Sequence, residues 1–286
     1  MIATATQVRT AGMQDHSSLS NLLFYETHAH RHLDWRPPLE WLGSPCFWVM
    51  EENARIVAAF ACPPDPERVA WIRLFVHTGS VDARRAWSTL WDTARAEITR
   101  NGGATVAAIV SQTWYRPILA ESGFSQPQSI VLLEWNGRPV LPPQLNNGFR
   151  LRPMTHDDLS AVDEVDAQAF GAFWHNSAQS LRHAFSMASS ATLVESEGRV
   201  VAYQLSTGSP VGAHLARLAV RKEAQGRGLG EALVADLIHT MRQSNAERIT
   251  VNTQSDNHIS LALYQKMGFR RTGDEFPVYR YEVAGG

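Results

Sequence analysis

Cysteine is nearly absent from this chain: Cys46 and Cys62 are the only two among 286 residues. Two thiols cannot build a disulfide framework or a thiolate metal centre. They are expected to be reduced and semi-buried, with a pair facing each other across a hairpin as the alternative. Long hydrophobic runs are also missing, and none approaches the roughly 20 residues of a membrane span. The opening Met1-Ile-Ala-Thr-Ala-Thr-Gln-Val-Arg-Thr10 has neither the basic start nor the apolar stretch of a secretory signal. A cytoplasmic location without a membrane partner is the expectation. Charge of one sign is lacking as well. The net charge is −2 and no block of five or more basic residues occurs, so there is no electrostatic basis for nucleic-acid binding.

What the chain does have is length for two domains and a break between them. Asn136-Gly-Arg-Pro-Val-Leu-Pro-Pro-Gln-Leu-Asn-Asn-Gly148 is rich in Pro, Gly and Asn, the composition of a linker. Domains are expected at 1–135 and 149–286, joined by 136–148. The flanking segments repeat each other at an offset that drifts only from 143 to 145. Val8-Arg9-Thr10 with Asp15 matches Leu151-Arg152-Pro153 with Asp157 or Asp158. Ala54-Arg-Ile-Val-Ala58 matches Gly198-Arg-Val-Val-Ala202, and Leu74-Phe-Val76 matches Leu218-Ala-Val220. Ile118-Leu-Ala-Glu-Ser-Gly-Phe124 matches Leu263-Tyr-Gln-Lys-Met-Gly-Phe269.

Periodicity predicts the elements of the second half. Strands are expected over 149–151, 192–195, 199–206, 214–220, 248–253 and 278–283. Helices are expected over 156–170, with Ala161, Val165 and Ala169 on one face, and over 228–241, with Leu229, Leu233 and Leu237 facing the core. A last helix is expected over 257–267, with an Ile259–Leu263–Met267 stripe and Gly268 just past its end. The order β-α-β-β-β-α-β-α-β is a mixed α/β unit.

Between strand 214–220 and the helix after it stands Gln225-Gly-Arg-Gly-Leu-Gly230. A turn without Cβ atoms brings backbone N–H groups close to an anion, and the helix N-terminus adds partial positive charge. A dinucleotide fingerprint needs its third glycine where Glu231 stands, and an acid after the next strand, which ends Val251-Asn-Thr-Gln254. A nucleotide P-loop needs Gly-Lys followed by Ser or Thr. The turn meets neither requirement.

The combination of Leu218-Ala-Val220, this turn, Asn257 and Leu263-Tyr-Gln-Lys-Met-Gly-Phe269 resembles the GNAT superfamily of acyl-CoA-dependent N-acetyltransferases, across the whole second half. The resemblance implies two tandem GNAT folds, each a mixed central sheet flanked by helices, with acetyl-CoA bound in the second and no metal. It implies that the backbone of Gln225, Gly226, Arg227, Gly228, Leu229 and Gly230 holds the pyrophosphate, and that the strand edge of Leu218, Ala219 and Val220 pairs with the pantetheine. An amine then attacks the thioester directly. Tyr264 stands at the family's general-acid position, with Asn257 in support. Tyr264 is expected on a helix face distinct from the apolar stripe. Packing alone is the alternative role for it.

The family's usual carboxylate bases are replaced here by His214 on one strand and Asn252 on the next. His214 is the candidate base, unless the acceptor arrives neutral and needs none. Phe173 and Trp174, within Phe170-Gly-Ala-Phe-Trp-His175, resemble an acceptor-pocket loop, and Tyr279 and Tyr281 are further candidates. The acceptor is expected to be a small-molecule or peptide amine, and the chain a monomer or homodimer. A non-catalytic acyl-CoA sensor or scaffold is the competing function.

In the first half the equivalent turn reads Thr78-Gly-Ser-Val-Asp-Ala-Arg-Arg-Ala86, where Asp82 would repel a pyrophosphate. Gln112 replaces Asn257, Leu119 replaces Tyr264, and Pro117 is expected to interrupt the helix. The fold is expected to persist there without CoA binding. Eight of nine tryptophans fall in this half, with Trp87 and Trp91 reading as core. His28-Ala-His-Arg-His32 lacks a second ligand group and is expected at a solvent-facing helix end.

Overall fold

The computed structural model describes residues 6–146, 148–209, 212–243 and 248–286. In chain order the first elements are β1 (Thr6–Thr10), α1 (His16–Tyr25), β2 (Ala29–Arg31), β3 (Phe47–Glu52), β4 (Arg55–Ala61), β5 (Val69–Trp71), β6 (Leu74–His77), α2 (Ala83–Arg100), β7 (Gly103–Ile109), α3 (Tyr115–Glu121) and β8 (Ser125–Trp135). There follow β9 (Arg150–Pro153), α4 (Leu159–Trp174), α5 (Ala178–Met187), β10 (Ser190–Ser196), β11 (Arg199–Ser209), β12 (Gly212–Val220), α6 (Leu229–Gln243), β13 (Arg248–Gln254), α7 (His258–Lys266) and β14 (Phe269–Ala284).

The chain forms two compact units, which do not divide at the linker. Unit 1 is Met1–Ser129 with Phe276–Gly286, and unit 2 is Ile130–Glu275. The reason is strand pairing. The end of β8 lies against β13, Ile130 opposite Gln254 and Glu134 opposite Thr250. The end of β14 lies against β7, from Val278 opposite Ile109 to Ala284 opposite Gly103. Trp135 accordingly joins the core of unit 2 and Tyr279 that of unit 1.

In unit 1, five strands pair antiparallel in the order β1-β3-β4-β6-β2, and β5 runs parallel to β7. The amphipathic α2 buries Ala86, Trp87, Leu90, Trp91, Ala94 and Ile98. Trp87 and Trp91 stack with ring centroids 5.7 Å apart. Cys46 and Cys62 are free, buried and cross-strand neighbours, with Cys62 N–H donating to Cys46 O at 2.8 Å. Pro117 does not interrupt its helix. It sits in the first turn of α3, where a missing N–H costs no intrahelical bond.

In unit 2 the order is β9-β10-β11-β12-β13-β8, with only β12 and β13 parallel. Side-chain alternation, reset by one residue at the bulge between Leu215 and Arg217, sends Ala202, Leu215 and Leu218 into cores shared with Leu233, Val234 and Leu237 of α6. The opposite face meets α4, whose buried positions are Leu159, Val162, Val165 and Asp166. Helix α5 was not legible in the pattern. Ser177 caps it by accepting from Ser180 N–H, and it buries only Leu181 and Ala184.

The repeat extends to a three-residue ion cluster. Arg9 donates to both carboxylate oxygens of Asp15 at 2.8 Å and to Glu51 at 2.6 Å. Arg152 does the same to Asp158 at 2.7 and 2.8 Å and to Glu195 at 2.8 Å. Of the two aspartates the repeat allowed, Asp158 is the partner. It also accepts from Thr155 N–H and Oγ1, at 2.8 Å each. Arg152, followed by the Thr155 hydrogen bonds, holds its carboxyl well below the usual range. A depressed folded-state pKa contributes stability above the unfolded value near 3.9, which is lost as pH falls toward the folded one. Asp158→Asn is therefore expected to cost about 1–3 kcal/mol at pH 7, and the difference should shrink below about pH 4. Urea denaturation across pH tests both points.

Candidate functional site

The site in unit 2 starts from a strand pair that separates. Among the described residues, strands β12 and β13 pair from Gly212 opposite Arg248 to Leu215 opposite Val251. Beyond that point β12 continues along β11 to Val220 opposite Ala202, with a bulge beside Leu205 and Ser206. Meanwhile β13 continues along β8 to Gln254. Arg221 N–H donates to Val201 O at 2.8 Å, so the alternation of an antiparallel ladder turns the Leu218 and Val220 backbone groups away from β11. These groups form an open edge able to pair with one more extended chain. The Gln225 side-chain amide covers part of it, donating to Val220 O at 3.1 Å.

The glycine turn follows directly. Gly226 and Gly228 have φ of 73° and 79°, and nothing lies within 4 Å of where a Cβ would stand on either. They are glycines for their left-handed backbone and for the open space above it. Gly230 has another reason, since a Cβ there would come 3.1 Å from Leu263 Cδ2. It lets α6 approach α7. The first turn of α6 leaves its amides without intrahelical partners, beside an exposed turn carrying Arg227, whose guanidinium lies 5.8 Å from the Phe149 ring centroid. An open strand edge and a helix N-terminus with uncovered amides fit a ligand with an extended amide arm and a phosphate group.

Tyr264 is 4% exposed and packs on Phe269 with ring centroids 5.8 Å apart. It shares a core with Leu215 and Val251, the last paired residues of the two strands. Burial pushes its phenol well above the ordinary value, so it is a protonated donor at neutral pH. The expected apolar stripe of α7 is buried only in part. Ile259 is 78% exposed, and Leu261, Tyr264 and Met267 face the core. Leu263 packs half-buried against the same core. Asn257 precedes the helix as its N-cap instead of projecting from its face. Its Oδ1 accepts from Ser260 N–H at 3.1 Å and its Nδ2 donates to Gln254 Oε1 at 3.3 Å.

On the other face of the sheet, His214 stands opposite Thr250, and Asn252 follows two residues along β13. His214 Nδ1 lies 2.9 Å from Thr250 Oγ1, whose hydroxyl reaches Ala213 O at 3.4 Å. In that network Nδ1 is the donor and Nε2 keeps its lone pair. Burial lowers the pKa of His214, so the imidazole is neutral at pH 7. Phe173 and Trp174 are half-buried and T-shaped at 5.0 Å. They do not lie in a loop: α4 runs on to Trp174 across a kink at Gly171, φ 66° and ψ −179°. Tyr279 and Tyr281 sit instead in unit 1, opposite Ala108 and Val106 on β7.

One group escaped the sequence reading. Asp166 is fully buried on α4, and Arg217 on β12 donates to both of its oxygens at 2.7 Å. Tyr203 also donates to it, and Asn176 N–H does so at 2.8 Å. Arg217 further donates to Trp174 O at 2.8 Å, and its guanidinium lies 3.4 Å from the Phe170 ring centroid. The network pins the kinked end of α4 to the strand beside the open edge. An aspartate inside the apolar pattern of a helix was its only signal. Arg217→Met leaves a buried carboxylate unpaired and is expected to cost about 3–5 kcal/mol. The double variant Arg217→Met with Asp166→Leu should recover most of that loss in denaturant unfolding.

The acetyltransferase (GNAT) family model matches residues 159–269. A mycothiol acetyltransferase of Saccharomonospora viridis is 30% identical over 209 residues, which cover 66% of this chain and 61% of that protein. An uncharacterised N-acetyltransferase of Methanocaldococcus jannaschii is 31% identical over 122 residues, 42% of this chain and 77% of that one. The chain thus spans less than two thirds of the first of these relatives. In fold, it resembles a GCN5-related N-acetyltransferase of Sphaerobacter thermophilus, with a TM-score of 0.66 at 14% identity over 98% of this chain and 96% of that one. It also resembles a tandem GNAT protein from the clavulanic acid biosynthesis pathway, with a TM-score of 0.64 at 18% identity over 99% and 100% of the two chains. With the parted strands, the glycine turn and these likenesses together, the chain belongs to the GNAT family of acetyltransferases.

Proposed function

We propose that unit 2 transfers an acetyl group from acetyl-CoA to a primary amine, by direct attack within the opening between β12 and β13. The observation that carries this reading is the coincidence of the open Leu218–Val220 edge with the uncovered amides from Gly226 to Gly230. The edge suits the amide-bearing pantetheine arm as an added strand. The helix N-terminus suits the pyrophosphate. Acetyl-CoA supplies the acetyl group as a thioester.

The residues then divide by face. Tyr264, beside the point where the strands part, donates its proton to the departing thiolate. His214 Nε2, on the opposite face, takes a proton from the attacking amine, directly or through water. Asn252 and Thr250 line that face with neutral polar groups, and Phe173 and Trp174 border it from α4. The amine is that of a small molecule or a peptide: relatives carry names of both kinds, mycothiol acetyltransferase and N-alpha-acetyltransferase 30. Asn257 acts through the start of α7, whose N-cap it is, and so helps to place Tyr264.

Calorimetric titration and an amine-acceptor screen test the proposal. Wild type should bind acetyl-CoA, and Tyr264→Phe should keep that affinity while losing about 10²–10⁴-fold in turnover. Unchanged turnover in Tyr264→Phe would remove the acid role, and binding without any turnover in wild type would favour a sensor. The pH profile separates the base. A lowered His214 pKa places the acid limb of kcat below 6.5, because the proton-accepting form is lost only there. His214→Gln should abolish that limb.

A further inference from the structure

Unit 1 parts its strands at the equivalent place. There β5 pairs with β7 as far as Trp71 opposite Ala107, and the pair in unit 2 ends at Leu215 opposite Val251, an offset of 144 on both strands. Beyond it β6 leaves β7 and stays with β4, Ala61 opposite Leu74 and Ala58 opposite His77. Its free side, however, is occupied. Strand β2 pairs along it, Ala29 opposite Val76, His30 opposite Phe75 and Arg31 opposite Leu74. His77 N–H donates to His28 O at 3.3 Å and His32 N–H to Arg73 O at 3.1 Å, which extends the ladder at both ends.

The details match a filled slot. His30 is fully buried, with Nε2 3.1 Å from Ile72 O, the first carbonyl beyond the parting point. Its Nδ1 lies 3.3 Å from Gln112 Oε1, on the residue that the repeat sets against Asn257. The ring packs against Tyr115 at 4.9 Å, and the His28 and His77 rings stack at 5.0 Å. The helix N-terminus is answered independently. Asp82 Oδ1 accepts from Arg85 N–H at 2.9 Å and so sets a carboxylate where α2 would receive an anion. Both features that recommend unit 2 as an acyl-CoA site are thus satisfied in unit 1 by the chain itself.

We propose that His28–His32 is the resident peptide ligand of the strand-edge slot in unit 1, so that this slot accepts no acyl-CoA and the chain carries one acyl-CoA site. The count rests on the reading of unit 2 given above, and the occupancy of the slot does not. It corrects the expectation of a helix end at this histidine run, and among the described residues no cluster of metal-binding side chains occurs.

Hydrogen exchange on the full chain without ligand tests the occupancy. The amides of His30 and His32, which the ladder points at β6, should exchange on the order of 100-fold or more slower than in an unfolded peptide, and saturating acetyl-CoA should not change them. Exchange at the unfolded rate, or protection that appears only with acetyl-CoA, would overturn the proposal. Calorimetry tests the count, with one acetyl-CoA per wild-type chain and none in Gly228→Asp. Two per chain, or residual binding in a folded Gly228→Asp, would also overturn it. No binding to wild type would defeat the acetyl-CoA reading of unit 2 instead, and exchange would still decide whether β2 holds the slot.

Discussion

Two parallel strands that share four paired positions among the described residues before parting, Gly212–Leu215 against Arg248–Val251, impose the constraint on which the site depends. A strand that leaves its neighbour exposes backbone donors and acceptors, which must find water, a side chain or a ligand. In unit 2 the edge from Leu218 to Val220 is left for such a partner, with the Gln225 amide on one carbonyl. The bulge near Leu205 turns β12 outward, and the Arg217–Asp166 pair ties the turned strand to α4. A buried ion pair is weak evidence for net stability. Here its geometric effect is plain, because it joins strand, helix kink and the Trp174 carbonyl through one guanidinium.

Unit 1 meets the same constraint with another solution. Its strands part at the equivalent residues, but its own β2 supplies the missing ladder and Asp82 supplies the missing anion. The repeat therefore kept the geometry of the parting point, together with the Arg9–Asp15–Glu51 and Arg152–Asp158–Glu195 clusters. What differs is which chain lies on the open edge. In unit 2 the parted sheet also separates the chemistry, with Tyr264 buried on the side of α6 and His214 and Asn252 on the side of α4.

Much of unit 2 was legible from local pattern. The strand, glycine turn and helix over 212–243 and the β10–β11 hairpin lie within a few residues of where spacing and turn chemistry put them. Misreadings occurred where one side chain could satisfy two patterns. Ile259 fits a helical stripe with Leu263 and Met267, yet Leu261 and Tyr264 face the core and Ile259 is left in solvent. Pro117 reads as a breaker unless the helix starts two residues before it, as α3 does. His28–His32 alternates like a strand, but three residues are too short a run to declare themselves without the edge they pair with.

Sequence by itself determined the repeat, the element order of its second copy apart from α5 and the backbone chemistry of the glycine turn, because these follow from periodicity, from glycine spacing and from residues close together in the chain. Only the tertiary structure decided where the two units divide, which face of α7 is buried, that Asp166 meets Arg217 and that β2 lies on β6. Each of these joins residues that are remote in sequence or chooses among faces with similar apolar content. Strand exchange at Ser129 and Phe276 leaves no local mark, since β8 and β14 are ordinary strands whichever neighbour they pair with. Pairing is settled by the edges available in the folded chain, and a single strand's sequence does not contain that information.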